Sequence, residues 1–148
     1  MNSIFALALA LAAPAASPEW APIAITEGDG PHIFFIDRTS IRPTADGSSA
    51  KAFVVSEGAA LRLHIEYDCA DQLYRYLDAA MPADAPPGSP QATRWARIEP
   101  VSPLNHTMRY VCSGGKVDFG FGDLAVESPS PTAFAREFLK RRAAAKRK

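Results

Sequence analysis

The residues best able to do chemistry gather in one stretch, Leu61 to Leu77, LRLHIEYDCADQLYRYL. His64, Glu66 and Asp68 alternate along it, so a strand would put all three on one side. A histidine among carboxylates has the donor types of a divalent metal site. Same-side residues on a flat strand rarely converge on one ion without other elements, so a solvated strand face is the competing reading. Cys69 follows at once. His64 stands five residues before it, and His106 six before the second cysteine, Cys112, which raises a Cys–His nucleophile pair. That pair needs a free thiolate, and oxidised cysteines cannot attack. Neither G-x-S-x-G nor H-E-x-x-H occurs. Asp118-Phe119-Gly120 matches a kinase tripeptide by letters alone, without a glycine loop or catalytic loop. The residues therefore lead to the expectation of a non-enzymatic protein with no cofactor and no bound metal.

Whether the cysteines pair depends on compartment. Two cysteines without a C-x-x-C spacing fit a buried thiol pair, a redox pair or a disulfide. The N-terminus decides between them. Ile4 to Ala13, IFALALALAA, is an unbroken apolar run about the length of a secretory h-region and too short to span a bilayer. Ala13-Pro14-Ala15 offers a small-x-small cleavage site. Residues 1–15 thus read as a signal peptide, with a mature chain from about Ala16, although the segment before the run has no Lys or Arg. A buried N-terminal helix is the alternative, but it would have no polar face and meets a Pro/Ala/Ser break directly. Export to the periplasm or medium follows, and there the cysteines should form a disulfide. No cysteine follows the cleavage region, so no lipid anchor is expected.

These groups must be positioned by a single domain, since 148 residues build one core. An apolar fraction of 47% with 22% charged residues is globular rather than disordered. Trp20–Thr26 alternates as a first strand, with Pro22 tolerable at an edge. His32–Asp37 is a short apolar strand. Asp37 can then accept from the amides of Thr39 or Ser40, closing a turn that aims Ile41 at the core. Thr44–Ser49, with Asp46-Gly47, reads as a turn and Lys51–Glu57 as a strand. Within the opening stretch, a two-residue turn at Ala70-Asp71 pairs Cys69 with Gln72 and sets Tyr67 opposite Tyr74, Glu66 opposite Arg75 and Ile65 opposite Tyr76. That register gives an aromatic pair, an attractive charge pair and one apolar face from Leu61, Leu63, Ile65 and Tyr67.

Met81–Pro90, MPADAPPGSP, is a surface loop, and Thr93–Glu99 a further strand carrying Trp95. Ser102-Pro103 starts a helix that buries Leu104, Met108 and Val111 and stops at Gly114-Gly115. Cys112 would lie at its end, where a bridge to Cys69 staples helix to hairpin. Lys116–Leu124 could add a glycine-weakened strand, and Ser128–Pro131 is a linker. The fold class is α+β: one antiparallel sheet of about five or six strands, a short packed helix and a C-terminal basic amphipathic helix.

That last helix holds the chain's charge asymmetry. Residues 1–135 hold 9 Lys/Arg against 15 Asp/Glu, a balance of −6, while 136–148 hold 7 against 1, a balance of +6. Phe134, Phe138 and Leu139 share a helical face, and the helix should fray after about Arg142. Arg136, Lys140, Arg141 and Arg142, with Lys146, Arg147 and Lys148 beyond, could contact an anionic membrane, lipopolysaccharide or wall surface. Alternatively its apolar face packs on the protein's own sheet. Nucleic acid is not an expected partner of an exported chain.

A set of short motifs lies in order along the sequence. Glu19-Trp20 follows the signal; then come Asp37-x-x-Ser40-Ile41-Arg42, Glu66-Tyr67-Asp68-Cys69, Trp95-x-x-Ile98 and Tyr110-Val111-Cys112. Together they resemble the surface-adhesin protein E family over roughly residues 18–113. The resemblance implies a small antiparallel sheet with a packed helix, a disulfide between Cys69 and Cys112, and a bacterial envelope or secreted location. It further implies a module that binds a host or envelope protein, with no family binding residues to transfer. Two features depart from it: the missing lipid-anchoring cysteine and the extra segment after Ser113. The chain so divides into the signal peptide 1–15, the adhesin E-like domain 18–113, an extension and linker 114–131, and the basic helix and tail 132–148. The rival expectation is a periplasmic envelope-associated structural protein held by that basic helix.

Overall fold

The computed structural model describes residues 17–26, 30–56, 59–78, 92–119 and 130–145, and the backbone of 81–82 and 126–127. The segment expected to be a signal peptide, the proline loop beyond Pro82, Ser128-Pro129 and Lys146, Arg147 and Lys148 lie outside the described residues.

Five strands of four residues or more form the body of one antiparallel sheet: β1 (Glu19–Ile25), β2 (Ile33–Asp37), β4 (Gly47–Ser56), β5 (Ala59–Asp68) and β6 (Leu73–Tyr76). Two-residue strands complete it: β3 (Arg42–Pro43), β7 (Met81–Pro82), β8 (Ala96–Arg97) and β9 (Val126–Glu127). The order is β8-β6-β5-β4-β2-β1-β9, with β3 beside β4 and β7 beside β5. Helix α1 (Pro103–Cys112) covers one face and α2 (Pro131–Ala145) packs on part of the other. This is the expected α+β class. Pro22 is accommodated next to a register shift between Pro22 and Ala24, beyond the two residues of β1 that β9 pairs.

The hairpin register is the one the sequence predicts, Ile65 opposite Tyr76, Glu66 opposite Arg75 and Tyr67 opposite Tyr74. The ladder, however, closes at Asp68–Leu73, and Cys69 to Gln72 all lie in the turn. Asp68 is the cause: its Oδ1 accepts from the amides of Ala70 (3.0 Å) and Asp71 (2.9 Å), and Gln72 turns the corner at φ 55°. Ile65 and Tyr67 enter the core as expected, but Leu61, at the far end of the strand, is 39% exposed.

Three other elements differ from expectation. The turn before β4 closes over Thr44 to Gly47, so the strand begins at Gly47 rather than Lys51; the Gly47 amide donates to Thr44 Oγ1 and the Thr44 amide to the Gly47 carbonyl. Glycine is required there because a Cβ would overlap the Tyr67 carbonyl oxygen and stand 3.0 Å from Cys69 Sγ. The Trp95 segment forms only two ladder pairs. Even so, Thr93 exchanges two bonds with Tyr76 and the Ile98 amide donates to Gln72, so the segment follows β6 throughout. Finally, Lys116–Phe119 is no strand. The amides of Lys116 and Val117 donate to Ser113 Oγ at the end of α1, and Phe119 folds back on that helix. The rest of the expected strand, Gly120 to Leu124, lies outside the described residues, and Val126–Glu127 pairs with β1 as β9.

Helix α1 starts as its sequence dictates. Ser102 Oγ accepts from the Asn105 amide at 3.2 Å with Pro103 at the first turn. It ends where Gly114 and Gly115 take φ of 68° and 79°, their amides reaching the carbonyls of Val111 and Tyr110. Met108, Tyr110 and Val111 are buried against Ile36, Ala52 and Ile65. Cys112 is bonded to Cys69, with Cα atoms 5.9 Å apart. The bridge fastens the hairpin turn to the end of α1, as expected.

Candidate binding face

Alternation sends every second residue of β4, β5 and β6 to the face opposite α1. At one end of that face Ile33, Phe35, Phe53 and Val55 form an apolar patch, and α2 lies on it. Ser130 caps this helix by accepting from the Ala133 amide at 3.0 Å. Ala135 is fully buried, Phe134 meets Phe35 edge-on at 5.8 Å, and Phe138 and Leu139 are half-buried beside them. The helix runs on to Ala145, past the expected fraying point. Its apolar side is thus occupied by the sheet.

The other end of the face is polar and holds the residues singled out as chemistry. Each of them already has a task. Glu66 is only 5% exposed and accepts from both Nε and Nη2 of Arg75, each at 2.6 Å, through one oxygen, Oε2. Its face is therefore not a solvated one at this point. Arg75 in turn lies over the Trp95 ring, its Cζ 4.4 Å from the centroid. His64 Nδ1 stands 3.6 Å from Asp78 Oδ2, and Asp68 closes its own turn. Among the described residues no three His, Cys, Asp or Glu side chains come together as a metal site.

The cysteine–histidine chemistry meets the same result. Both sulfurs are consumed in the disulfide. His106 Nδ1 lies 3.0 Å from the Ser102 carbonyl and its ring packs at 5.2 Å on Phe119, which also receives Arg109. Phe119 is thus part of the packing around α1.

Around the Glu66–Arg75–Trp95 stack the surface opens. The side chains of His64 and Arg75 are 32% and 29% exposed, Trp95 is half-buried, and Lys51, opposite His64 on β4, is exposed. Arg97, opposite Leu73, is exposed at the edge of the same area. Sequence reasoning pairs Glu66 with Arg75 but misses Trp95, because nothing in the letters fixes where β8 joins β6. Had Leu73 been set opposite Arg97, Trp95 would have fallen beside Arg75.

The basic residues of α2 are not all equivalent. Arg136, Lys140 and Arg141 are exposed, and Arg142 is half-buried. Arg141 Nε donates to Glu137 Oε1 one turn back at 2.9 Å, and this pairing lowers the Glu137 carboxyl from its ordinary value. Comparison with protein-family models, curated proteins and solved structures finds no match to the chain.

Proposed function

We propose that the chain is an exported, non-enzymatic binding module of the surface-adhesin protein E kind, acting in the periplasm or outside the cell. On this reading it takes a protein partner on the polar end of the second sheet face. The observation that carries the reading is Trp95 over Arg75. Arginine and tryptophan are the residue types that most often dominate protein interfaces. Here their geometry is fixed before any partner arrives, because buried Glu66 holds the guanidinium from the other side. A preset pair loses little side-chain freedom on binding. Support for the non-enzymatic part comes from the side chains themselves: the cysteines are joined, and His64, Glu66 and Asp68 are engaged in structural contacts. A disulfide fits an oxidising compartment, and no helix among the described residues is long and apolar enough to cross a membrane.

The test is a pull-down with purified protein carrying the disulfide, comparing wild type with Trp95→Ala and with Val101→Ala. Val101 is 95% exposed and away from the stack, so its variant is the control. A partner on this face is retained by wild type and the control and lost by Trp95→Ala, with thermal unfolding showing that the variant is folded. A partner retained equally by all three refutes the assignment.

A further inference from the structure

We infer that the outward side of docked α2 is an electrostatic contact surface for an anionic lipid bilayer, working without insertion of the helix. The docked orientation is fixed by Pro131, Phe134, Ala135 and Phe138, which turn toward the sheet. At 100° per residue, Arg136 and Lys140 then fall on the opposite side, one turn apart, and both are exposed. Their neighbours on that side are Ala133, Ala143 and Ala144, all exposed and short, so the two cationic heads stand clear of the helix surface. Arg141 and Glu137 lie on the flank, where the Glu137 carboxylate pairs with Arg141 and also attracts Lys140.

The shape and chemistry of this side select the partner. It has cations but no groove, no aromatic ring and no paired donor–acceptor set, so it offers nothing to read a base, a sugar or a shaped peptide. A fluid surface of diffuse negative charge needs none of these. Insertion is a different matter. An amphipathic helix that enters a bilayer does so with its apolar side, and that side of α2 is covered by Phe35, Phe53 and Val55. Binding through cations alone should be reversible and salt-sensitive, because it acts within a Debye length. Helix α1, on the other face of the sheet, would be turned from the membrane.

The inference stands apart from the partner proposed for the Trp95 face and is tested separately. Full-length protein with its disulfide intact is sedimented with vesicles of phosphatidylcholine alone or mixed with phosphatidylglycerol. Each Lys or Arg near such a surface contributes about fivefold to the partition coefficient. Arg136→Gln/Lys140→Gln should therefore lower partitioning about 25-fold, while Arg109→Gln/Lys116→Gln, an equal charge change on the α1 side, should leave it intact. All four residues are exposed, so the fold is not at risk. Trp20 lies in the apolar patch with α2, edge-on to Phe53 at 5.4 Å, and in a Trp95→Phe background it reports whether the helix leaves. The expected result is binding that needs phosphatidylglycerol, disappears at high salt and leaves Trp20 emission unchanged. Equal binding to both vesicle types, equal loss in the two charge variants, or capture by a sulfated polysaccharide with none by vesicles overturns the inference. So does a red shift of Trp20 with salt-resistant binding, which would mean that α2 undocks and inserts.

Discussion

The buried hydroxyl pair between hairpin and helix should respond unequally to removal of its two members. Tyr67 is fully buried and Thr107 is 1% exposed; their oxygens are 2.8 Å apart. The Thr107 hydroxyl also donates to the Leu104 carbonyl at 3.0 Å. A threonine hydroxyl has one proton, so at the shared bond Tyr67 must donate and Thr107 accept. Tyr67→Phe then removes a donor and leaves Thr107 with its other bond, costing about 1 kcal/mol. Thr107→Val keeps the shape but strands a buried phenol O–H, which costs about 1–3 kcal/mol for the orphaned donor in addition to the lost bond. In the double variant no orphan remains, and its loss should fall short of the summed single losses by about 1–2 kcal/mol. Urea unfolding of the oxidised protein, followed by tryptophan fluorescence, reads this as midpoint shifts of the order of 1 M at ordinary slopes. Additive losses, or a Tyr67→Phe variant as unstable as Thr107→Val, would refute the donor assignment.

The same tyrosine sets an alkaline limit. Burial, the largest cause, raises the Tyr67 phenol well above its ordinary value of 10.0, and raises Tyr76 as well. Above about pH 10 the unfolded chain loses these protons while the native state keeps them. The unfolded state then binds fewer protons, so stability falls as pH rises, by up to about 1.4 kcal/mol per pH unit for each group. Tyr67→Phe should show a shallower alkaline decline, with the Tyr76 part left. An unchanged slope between pH 10 and 12 would show that Tyr67 ionises as readily when folded as when unfolded.

Two further perturbations probe the hairpin's attachments. The disulfide closes a sequence separation of 43, for which chain entropy gives about 4 kcal/mol; Cys69→Ser/Cys112→Ser should lower Tm by roughly 8–16 °C in calorimetry, and an unchanged Tm would show that the bridge does not constrain the unfolded chain. Gly47→Ala should destabilise by about 1–3 kcal/mol through overlap with the Tyr67 carbonyl, while Gly30→Ala, with nothing within 4 Å of its Cβ, should be neutral by the same thermal scan.

What the letters reveal is local pairing, and what they hide is where separate pieces meet. Asp68, Glu66–Arg75 and the tyrosine pair fix the hairpin register because slipping it by one residue mixes apolar and charged sides. Ser102, Pro103 and the two glycines bound α1 because capping acts within four residues. The length of β4 is less legible: Gly47, Ser48 and Ser49 look like turn residues, and only the ten-residue partner β5 holds them extended. The site is harder still. His64, Glu66 and Asp68 invite a metal reading because their partners, Asp78 and Arg75, come from a strand or its far end; Trp95 arrives from a segment with two ladder pairs.

The two faces of the sheet divide the work of folding and of contact. On the α1 face every large group is met from within: the helix fills it, Tyr67 and Thr107 satisfy each other, and the disulfide holds the edge. Disturbing that face disturbs stability first. The opposite face is only half filled by α2, and the remainder is polar without being idle. Buried Glu66 would be costly there unless a cation covered it, so Arg75 is held inward, and Trp95 can lie on the guanidinium at little further entropic cost. Removing the cation should therefore be worse than removing the pair. Arg75→Ala leaves a buried carboxylate alone, whereas Arg75→Met/Glu66→Leu leaves an apolar patch under Trp95. Stability that recovers in the double variant while partner capture stays lost would separate the structural role of this ion pair from its role in presenting the tryptophan; capture that recovers along with stability would show that the guanidinium is not part of the contact.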